Sequence, residues 1–120
     1  MAKILVVDDA SFMRAMIRDV LTKEGHTVVE ACNGQEMLDM YDKNNPDLVT
    51  MDITMPVMNG IDGVKALISK HSDAKIIMCS ALGQKVMILD AIKSGAKDFI
   101  VKPFDPERVV DAVNRVLKYK

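Results

Sequence analysis

Carboxylate side chains directly follow two short runs rich in apolar residues. Asp8 and Asp9 come after the run at 4–7, and Asp52 comes after the run at 48–51. Three carboxylates that lie close together repel one another unless one is protonated or a cation is bound. Oxygen ligands without a nearby His or Cys favour a hard ion, and Mg²⁺ with retained waters suits such a set. A carboxylate is also a competent nucleophile for forming an acyl phosphate.

Two further polar residues follow later apolar runs. Ser80 offers a hydroxyl donor, and Lys102 offers a compact cation that can pair with a phosphoryl oxygen. Each residue has a structural alternative on its own: Asp9 or Ser80 as a helix cap, and Lys102 as a surface charge. Because these residues follow four different predicted strands, their joint placement favours one acid-phosphate site.

The elements that must position these side chains alternate along the chain. β-Branched runs predict strands at 3–7, 27–31, 48–51, 75–79 and 99–101. Helical periodicity, with Gly and Pro at the ends, predicts helices at 12–24, 35–43, 60–70, 84–94 and 106–117. Short links between alternating strands and helices predict a parallel sheet with helices on both faces.

This pattern predicts an α/β fold, doubly wound and flavodoxin-like, of the (βα)5 type. In the strand order 2-1-3-4-5 of flavodoxin-like proteins, the winding reverses between strands 1 and 3, and ligands bind at that point. The carboxyl ends of all five strands then share one edge of the sheet. Asp8, Asp9 and Asp52 are therefore expected to lie in one crevice.

Composition excludes several classes of protein. The chain has 120 residues, 16 basic and 17 acidic, with a net charge of −1, so neither nucleic-acid binding nor a disordered tail is expected. About half the residues are apolar, which is enough for one buried core, and we expect a monomer. Cys32 and Cys79 are expected to be buried reduced thiols. No segment is typical of a signal peptide or a membrane span, which predicts a cytoplasmic protein.

Four separated motifs together resemble the receiver domain of two-component response regulators. They are VVDD at 6–9, DITMPVMNG at 52–60, SA at 80–81 and KPF at 102–104. The similarity covers essentially the whole chain, so a single receiver domain is expected over 1–120, with no output domain. It implies a signalling protein whose only chemistry is self-phosphorylation from a phosphodonor and autodephosphorylation.

The resemblance also implies roles for the site residues. Asp52 would be the phospho-acceptor, taking the group from a histidine kinase. The Mg²⁺ ligands would be oxygens of Asp8, Asp9, Asp52 and the backbone carbonyl of Thr54. Lys102 would pair with the phosphoryl group, Ser80 would hydrogen-bond to it, and the Lys102–Pro103 bond is expected to be cis.

The implied readout is a change in the face formed by helix 4, strand 5 and helix 5. Phe99 would turn inward on phosphorylation, and Lys85, Ile88 and Ile92 would belong to the partner surface. The alternative is that Ile88 and Ile92 are core residues; Leu89 is expected to face the core. Expected partners are a histidine kinase, a phosphatase, and a flagellar motor switch protein or another signalling target.

Two positions depart from the common receiver pattern. Ser80 stands where Thr is frequent, which keeps the hydroxyl, and Phe99 stands where many members have Tyr, which removes a hydroxyl contact. Leu82 and Thr54 flank the path of an attacking water, and Leu82 cannot orient that water.

Among receivers, the segments at 9–14 and 80–84 are most similar to single-domain chemotaxis regulators. A single-domain phosphorelay intermediate and the excised receiver of a longer regulator stay open as alternatives. An Mg²⁺-dependent aspartyl phosphatase fits poorly, because that class needs an Asp two residues after its nucleophile and Ala10 follows Asp8 at that spacing. Nucleotide binding also fits poorly, because no glycine-rich phosphate loop is present.

Overall fold

Five parallel strands form one sheet, with helices packed on both of its faces. The computed structural model describes residues 1–81 and 85–119. The strands are β1 (Lys3–Val7), β2 (Thr27–Ala31), β3 (Leu48–Asp52), β4 (Ile76–Ala81) and β5 (Asp98–Lys102). The helices are α1 (Ser11–Lys23), α2 (Gly34–Asn44), α3 (Gly60–Lys70), α4 (Lys85–Ser94) and α5 (Pro106–Leu117). The strand order is β2-β1-β3-β4-β5, which confirms the predicted doubly wound fold.

The predicted bounds of β1, β2, α3 and α5 match the structure, and the boundaries of the other elements differ by one or two residues. The largest difference is in β4, which begins one residue late and ends two residues late, at Ala81; β3 is longer by one residue and includes Asp52. Both extensions bring polar residues into the ends of strands, where apolar patterning gives no signal. The predicted start of helix 4, at Gln84, lies outside the described residues, as does Leu82.

Apolar side chains from the two faces of the sheet form two separate clusters. One includes Val49 and Met51 with α2, α3 and α4; the other includes Leu48 and Ile77 with α1 and α5. Every residue of β3 is buried, as expected for a central parallel strand that is covered on both sides. This packing fixes the end of β3, and with it Asp52.

A close approach of two backbone segments holds the loop after β3 in place. A Cβ atom at Gly60 would lie 2.1 Å from the carbonyl oxygen of Asp52, so no larger residue fits there. The Gly60 amide donates to the Ile53 carbonyl at 2.6 Å. Asn59 then caps α3, its side chain accepting from the Asp62 amide at 2.9 Å.

The two cysteines differ in their surroundings. Cys79 is buried, as predicted, and its burial raises the pKa of its thiol to about 12. The prediction was wrong for Cys32, which is only partly buried at the end of β2, with its thiol 3.5 Å from Glu36 Oε2. In the described part of the chain, no helix has the length and apolar character needed to cross a bilayer.

Candidate functional site

Three acidic side chains meet at the carboxyl edge of the sheet. Asp8, Asp9 and Asp52 each offer an oxygen, and these three atoms lie within 4.8 Å of one another. They converge because β1 and β3 are neighbouring parallel strands that end together. Asp8 and Asp52 are buried, whereas Asp9 is exposed. The crevice predicted from the sequence is therefore present, with Asp9 on its solvent side.

Lys102 reaches this cluster from the end of the edge strand β5. Its Nζ lies 2.9 Å from Asp8 Oδ2 and 3.3 Å from Asp52 Oδ1. The Lys102–Pro103 peptide bond is cis, as expected. One ammonium between two buried carboxylates offsets part of their repulsion, but three carboxylates still leave the site with excess negative charge.

The pKa of Asp52 depends on its burial and on the charges of its neighbours. Burial raises the pKa of Asp52; Lys102 opposes this shift, Asp8 adds to it, and the net result is a raised pKa. For Lys102, burial favours the neutral form, but the hydrogen bond to Asp8 and the charge of Asp52 outweigh it, so the pKa of Lys102 is also raised. Lys102 is therefore a firmly protonated cation at neutral pH.

The hydroxyl of Ser80 is buried beside this cluster. Cys79 pairs with Asp52 in the register of β3 and β4, so Ser80 is the next residue along β4. Its oxygen has no hydrogen-bond partner within residues 1–81 and 85–119. Because a buried hydroxyl without a partner is costly, Ser80 provides an unused donor and acceptor next to the site.

The donor set suits a small, hard divalent cation. Carboxylate oxygens are the preferred ligands of Mg²⁺, which binds them at 2.0–2.1 Å, so opposite ligands are about 4.2 Å apart. The three oxygens lie within 4.8 Å of one another, so one ion could be held by some of them directly and by others through its retained waters. The exposed Thr54 lies in the loop two residues beyond Asp52. The cluster could hold a metal ion.

The predicted partner surface is only partly at the surface. Lys85 is exposed, and Ile92 and Phe99 are 38% and 37% exposed. Ile88 was wrongly placed there: it is 7% exposed and packs in the core. Leu89 was wrongly expected to face the core, because it is 54% exposed.

The predictions for Ile88 and Leu89 were wrong because apolar residues occur all round helix α4. Ile88 and Ala91, three positions apart, are its buried residues. Val86 and Leu89 are therefore turned to solvent although both are apolar. Periodicity cannot choose the buried stripe of such a helix.

Two arginines that sequence analysis gave no role contact the backbone of functional segments. Arg14 Nη1 donates to the carbonyl of Asp8 at 2.7 Å. Arg108 Nη2 donates to the carbonyl of Phe99 at 2.6 Å. Contacts of this kind depend on the tertiary arrangement of α1 and α5, so residue spacing gives no signal for them.

Comparison with known proteins agrees with this geometry. The family model described as "Response regulator receiver domain" matches residues 4–114. The chain is 57% identical over 117 residues to the chemotaxis protein CheY of Thermotoga maritima, covering 97% of this chain and 98% of that protein. It is 56% identical to CheY of Bacillus subtilis, covering 96% and 97%.

Solved structures share the fold over nearly the whole chain. The receiver domain of NtrX from Brucella abortus superposes with a TM-score of 0.95 at 30% identity, covering 98% of this chain and 99% of that one. Against a longer NtrX chain the match covers 27% of that chain. The family match, the acidic cluster and the cis Lys102–Pro103 bond agree with one another. The chain belongs to the response regulator receiver domain family, whose members are receiver modules of two-component signalling systems.

Proposed function

We propose that this chain is a phosphorylation-dependent switch that accepts a phosphoryl group on Asp52 from a histidine kinase. The observation that carries the proposal is the convergence of Asp52 with Asp8 and Asp9, with Lys102 in contact with two of the three. This arrangement combines a nucleophile, a cation for a phosphoryl oxygen and a place for a divalent ion. Mg²⁺ is the proposed ion, held by Asp8, Asp9, Asp52 and the Thr54 carbonyl.

In the proposed transfer, an Asp52 oxygen forms a bond to phosphorus, and the bond from phosphorus to the donor atom breaks. When bound, Mg²⁺ neutralises charge that builds up on the phosphoryl oxygens. Lys102 is placed to pair with one of these oxygens after releasing part of its contact with Asp8. The hydroxyl of Ser80, which has no partner in the described part of the chain, donates to another. Hydrolysis of the acyl phosphate by water resets the switch.

The phosphoryl group adds negative charge and acceptor oxygens to the crevice. We expect the shift of Ser80 toward them to let Phe99 turn inward from its half-exposed position. Phe99 has no hydroxyl, so its burial leaves no unmet hydrogen bond and its inward state is accessible without phosphate. The change in partner affinity is therefore expected to be modest.

The proposed target surface consists of Lys85, Ile92 and Phe99. Relatives that share more than half of their residues with this chain are named as chemotaxis proteins, which supports a role in chemotaxis. We propose a flagellar motor switch protein as target, a phosphatase as a second partner, and action as a monomeric single domain in the cytoplasm.

The proposal is tested by incubating the chain with acetyl phosphate and Mg²⁺ and weighing the intact protein. The wild type should gain one phosphoryl group, and Asp52→Asn should gain none. Asp62→Asn is the matched control, because it removes an exposed acid from the first turn of α3 and should leave uptake unchanged. Equal uptake by Asp52→Asn and the wild type would remove Asp52 from the role.

A further inference from the structure

Arg14 ties the loop that carries the acidic pair to the neighbouring strand. Its Nη1 donates to the Asp8 carbonyl at 2.7 Å, and its Nε donates to Glu30 Oε1 at 3.1 Å. Glu30 lies on β2, where it pairs with Val6 in the register with β1. The side chain of Arg14 is only 18% exposed, so both contacts are partly shielded from water. Arg14 therefore links α1, the β1–α1 loop and β2.

Glu30 holds Arg14 in this orientation with one of its two oxygens. The other oxygen, Oε2, accepts from Arg18 Nη1 at 3.0 Å. Arg18 lies one helical turn after Arg14, is 43% exposed and also pairs with Asp19. The two arginines thus share one carboxylate, but within residues 1–81 and 85–119 only Arg14 also donates to the backbone at the acidic site.

Hydrogen bonds to Asp8 hold the loop that leads into α1. Ala10 is the N-cap residue, and its methyl side chain makes no capping hydrogen bond. The Ala10 amide instead donates to Asp8 Oδ1 at 2.9 Å, while Asp8 Oδ2 accepts from Lys102. Both oxygens of the Asp8 carboxylate are therefore already engaged inside the site, and Arg14 holds the Asp8 carbonyl from outside it. Asp9 is the next residue, so its position follows that of this peptide.

We propose that Arg14 is a positioning residue for the cation site formed by Asp8 and Asp9. The inference rests on the proposed Mg²⁺-dependent function and assigns a role in it to a residue outside the acidic cluster. Mg²⁺ demands a narrow ligand geometry, and residues that orient metal ligands typically change affinity by about 10–100-fold when removed. Because Arg14 acts through a main-chain carbonyl, a smaller loss of about threefold to tenfold is expected.

The test compares Arg14→Met with Arg18→Met. Both variants remove one arginine from Glu30 and lower the net charge equally, but only Arg14→Met removes the contact with Asp8. Mn²⁺ binding is measured by electron paramagnetic resonance of the free ion, with Mg²⁺ as competitor. Arg14→Met should bind both ions about threefold to tenfold more weakly, and Arg18→Met should stay within about twofold of the wild type.

A second readout separates positioning from a general loss of structure. Phosphate uptake from acetyl phosphate is measured as a function of Mg²⁺ concentration. For Arg14→Met, the half-saturating Mg²⁺ concentration should rise and the rate at saturation should stay near that of the wild type. A lower saturated rate with unchanged half-saturation, or equal Mn²⁺ affinity in both variants, overturns the proposal.

Arg14→Lys keeps the charge but has a single nitrogen in place of the separate Nε and Nη1 donors that contact Glu30 and the Asp8 carbonyl, so it should also weaken Mn²⁺ binding. This variant decides the question if Arg14→Met does not fold, and wild-type affinity in Arg14→Lys then overturns the proposal. Failure of the underlying function gives a different result: the wild type itself binds no Mn²⁺ or takes no phosphate.

Discussion

The ammonium of Lys102 lies 2.9 Å from Asp8 Oδ2, although 94 positions separate the two residues in the chain. Asp8 is 2% exposed, so its charge is withdrawn from water and depends on this partner. The same Nζ is 3.3 Å from Asp52 Oδ1. Without a metal ion, Lys102 therefore serves as the internal counter-ion of the acidic site.

Replacing Lys102 with Met should destabilise the metal-free protein. Loss of one partner from a buried ion pair typically costs about 3–5 kcal/mol, and partial exposure of Lys102 lowers the expectation to about 2 kcal/mol. The loss should shrink when Mg²⁺ is added, because the ion replaces the missing positive charge. Urea unfolding with a chelator and with Mg²⁺ measures both effects.

Lys70→Met is the control for this experiment. Lys70 pairs with Asp42 at the surface, with 56% and 43% of the two side chains exposed, and such exposed pairs contribute little to stability. A loss of stability in Lys102→Met no larger than that in Lys70→Met would show that Lys102 does not neutralise the buried acids.

Asp9→Ala should remove most of the stabilisation that Mg²⁺ gives to the fold. The ion relieves repulsion among three carboxylates, and at ten times its dissociation constant it adds about 1.4 kcal/mol to the free energy of unfolding. Asp9 is the exposed member of the cluster, so its removal should leave the metal-free fold intact. Calorimetry over a Mg²⁺ titration measures the change in Tm. An equal rise in Tm for the wild type and Asp9→Ala would contradict a cation site shared by Asp8, Asp9 and Asp52.

Asp52→Asn should stabilise the metal-free protein at neutral pH. Burial raises the pKa of Asp52 above its ordinary value of 3.8, with Lys102 opposing this shift and Asp8 adding to it. The folded state then binds this proton more tightly than the unfolded state does, so stability falls as the pH rises from 3.8 through the raised pKa. The neutral Asn side chain has no such dependence.

The increase in the free energy of unfolding caused by Asp52→Asn should therefore be small at acidic pH. It should grow as the pH passes through the raised pKa of Asp52 and reach a plateau at neutral pH. Urea unfolding with a chelator over a pH series measures it. Asp62→Asn, which replaces an exposed acid, should give no comparable rise. A difference between Asp52→Asn and the wild type that does not vary with pH would contradict the assigned cause.

The fold and the acidic cluster were predictable because apolar runs mark the strands and the acidic residues stand directly at their ends. Buried runs at β1 and β3 predict parallel strands, and the residues after such strands meet at one edge, which places Asp8 beside Asp52. The orientation of α4 was not predictable, because Ile88 and Leu89 are equally apolar and only packing on the sheet distinguishes them. Arg14 contacts a main-chain carbonyl, and because every residue has one, residue types give no signal from which this contact could be predicted.

Thr50→Val should stabilise the protein by about 1 kcal/mol, because a buried hydroxyl without a partner costs free energy. Thr50 is 1% exposed in the central strand, and its hydroxyl has no hydrogen-bond partner in the described part of the chain. Val has nearly the same shape and also favours strands. Urea unfolding measures the change. Thr22→Val, at an exposed position of α1, should stay within about 0.5 kcal/mol of the wild type. A destabilised Thr50→Val would show that the hydroxyl has a partner in solution.

Ile92→Asp should weaken binding to the signalling target and leave phosphate uptake on Asp52 intact. Ile92 is 38% exposed on α4, so an acid there stays hydrated but interrupts the apolar part of the proposed target surface. We expect a loss of affinity of about tenfold or more, as for a residue at the centre of an interface. Binding of a target-derived peptide to the phosphorylated chain measures it. Ile88→Asp is the contrasting variant: its side chain is 7% exposed in the core, so a buried charge should unfold the chain. Normal target binding by a folded, phosphorylated Ile92→Asp would show that the partner docks elsewhere.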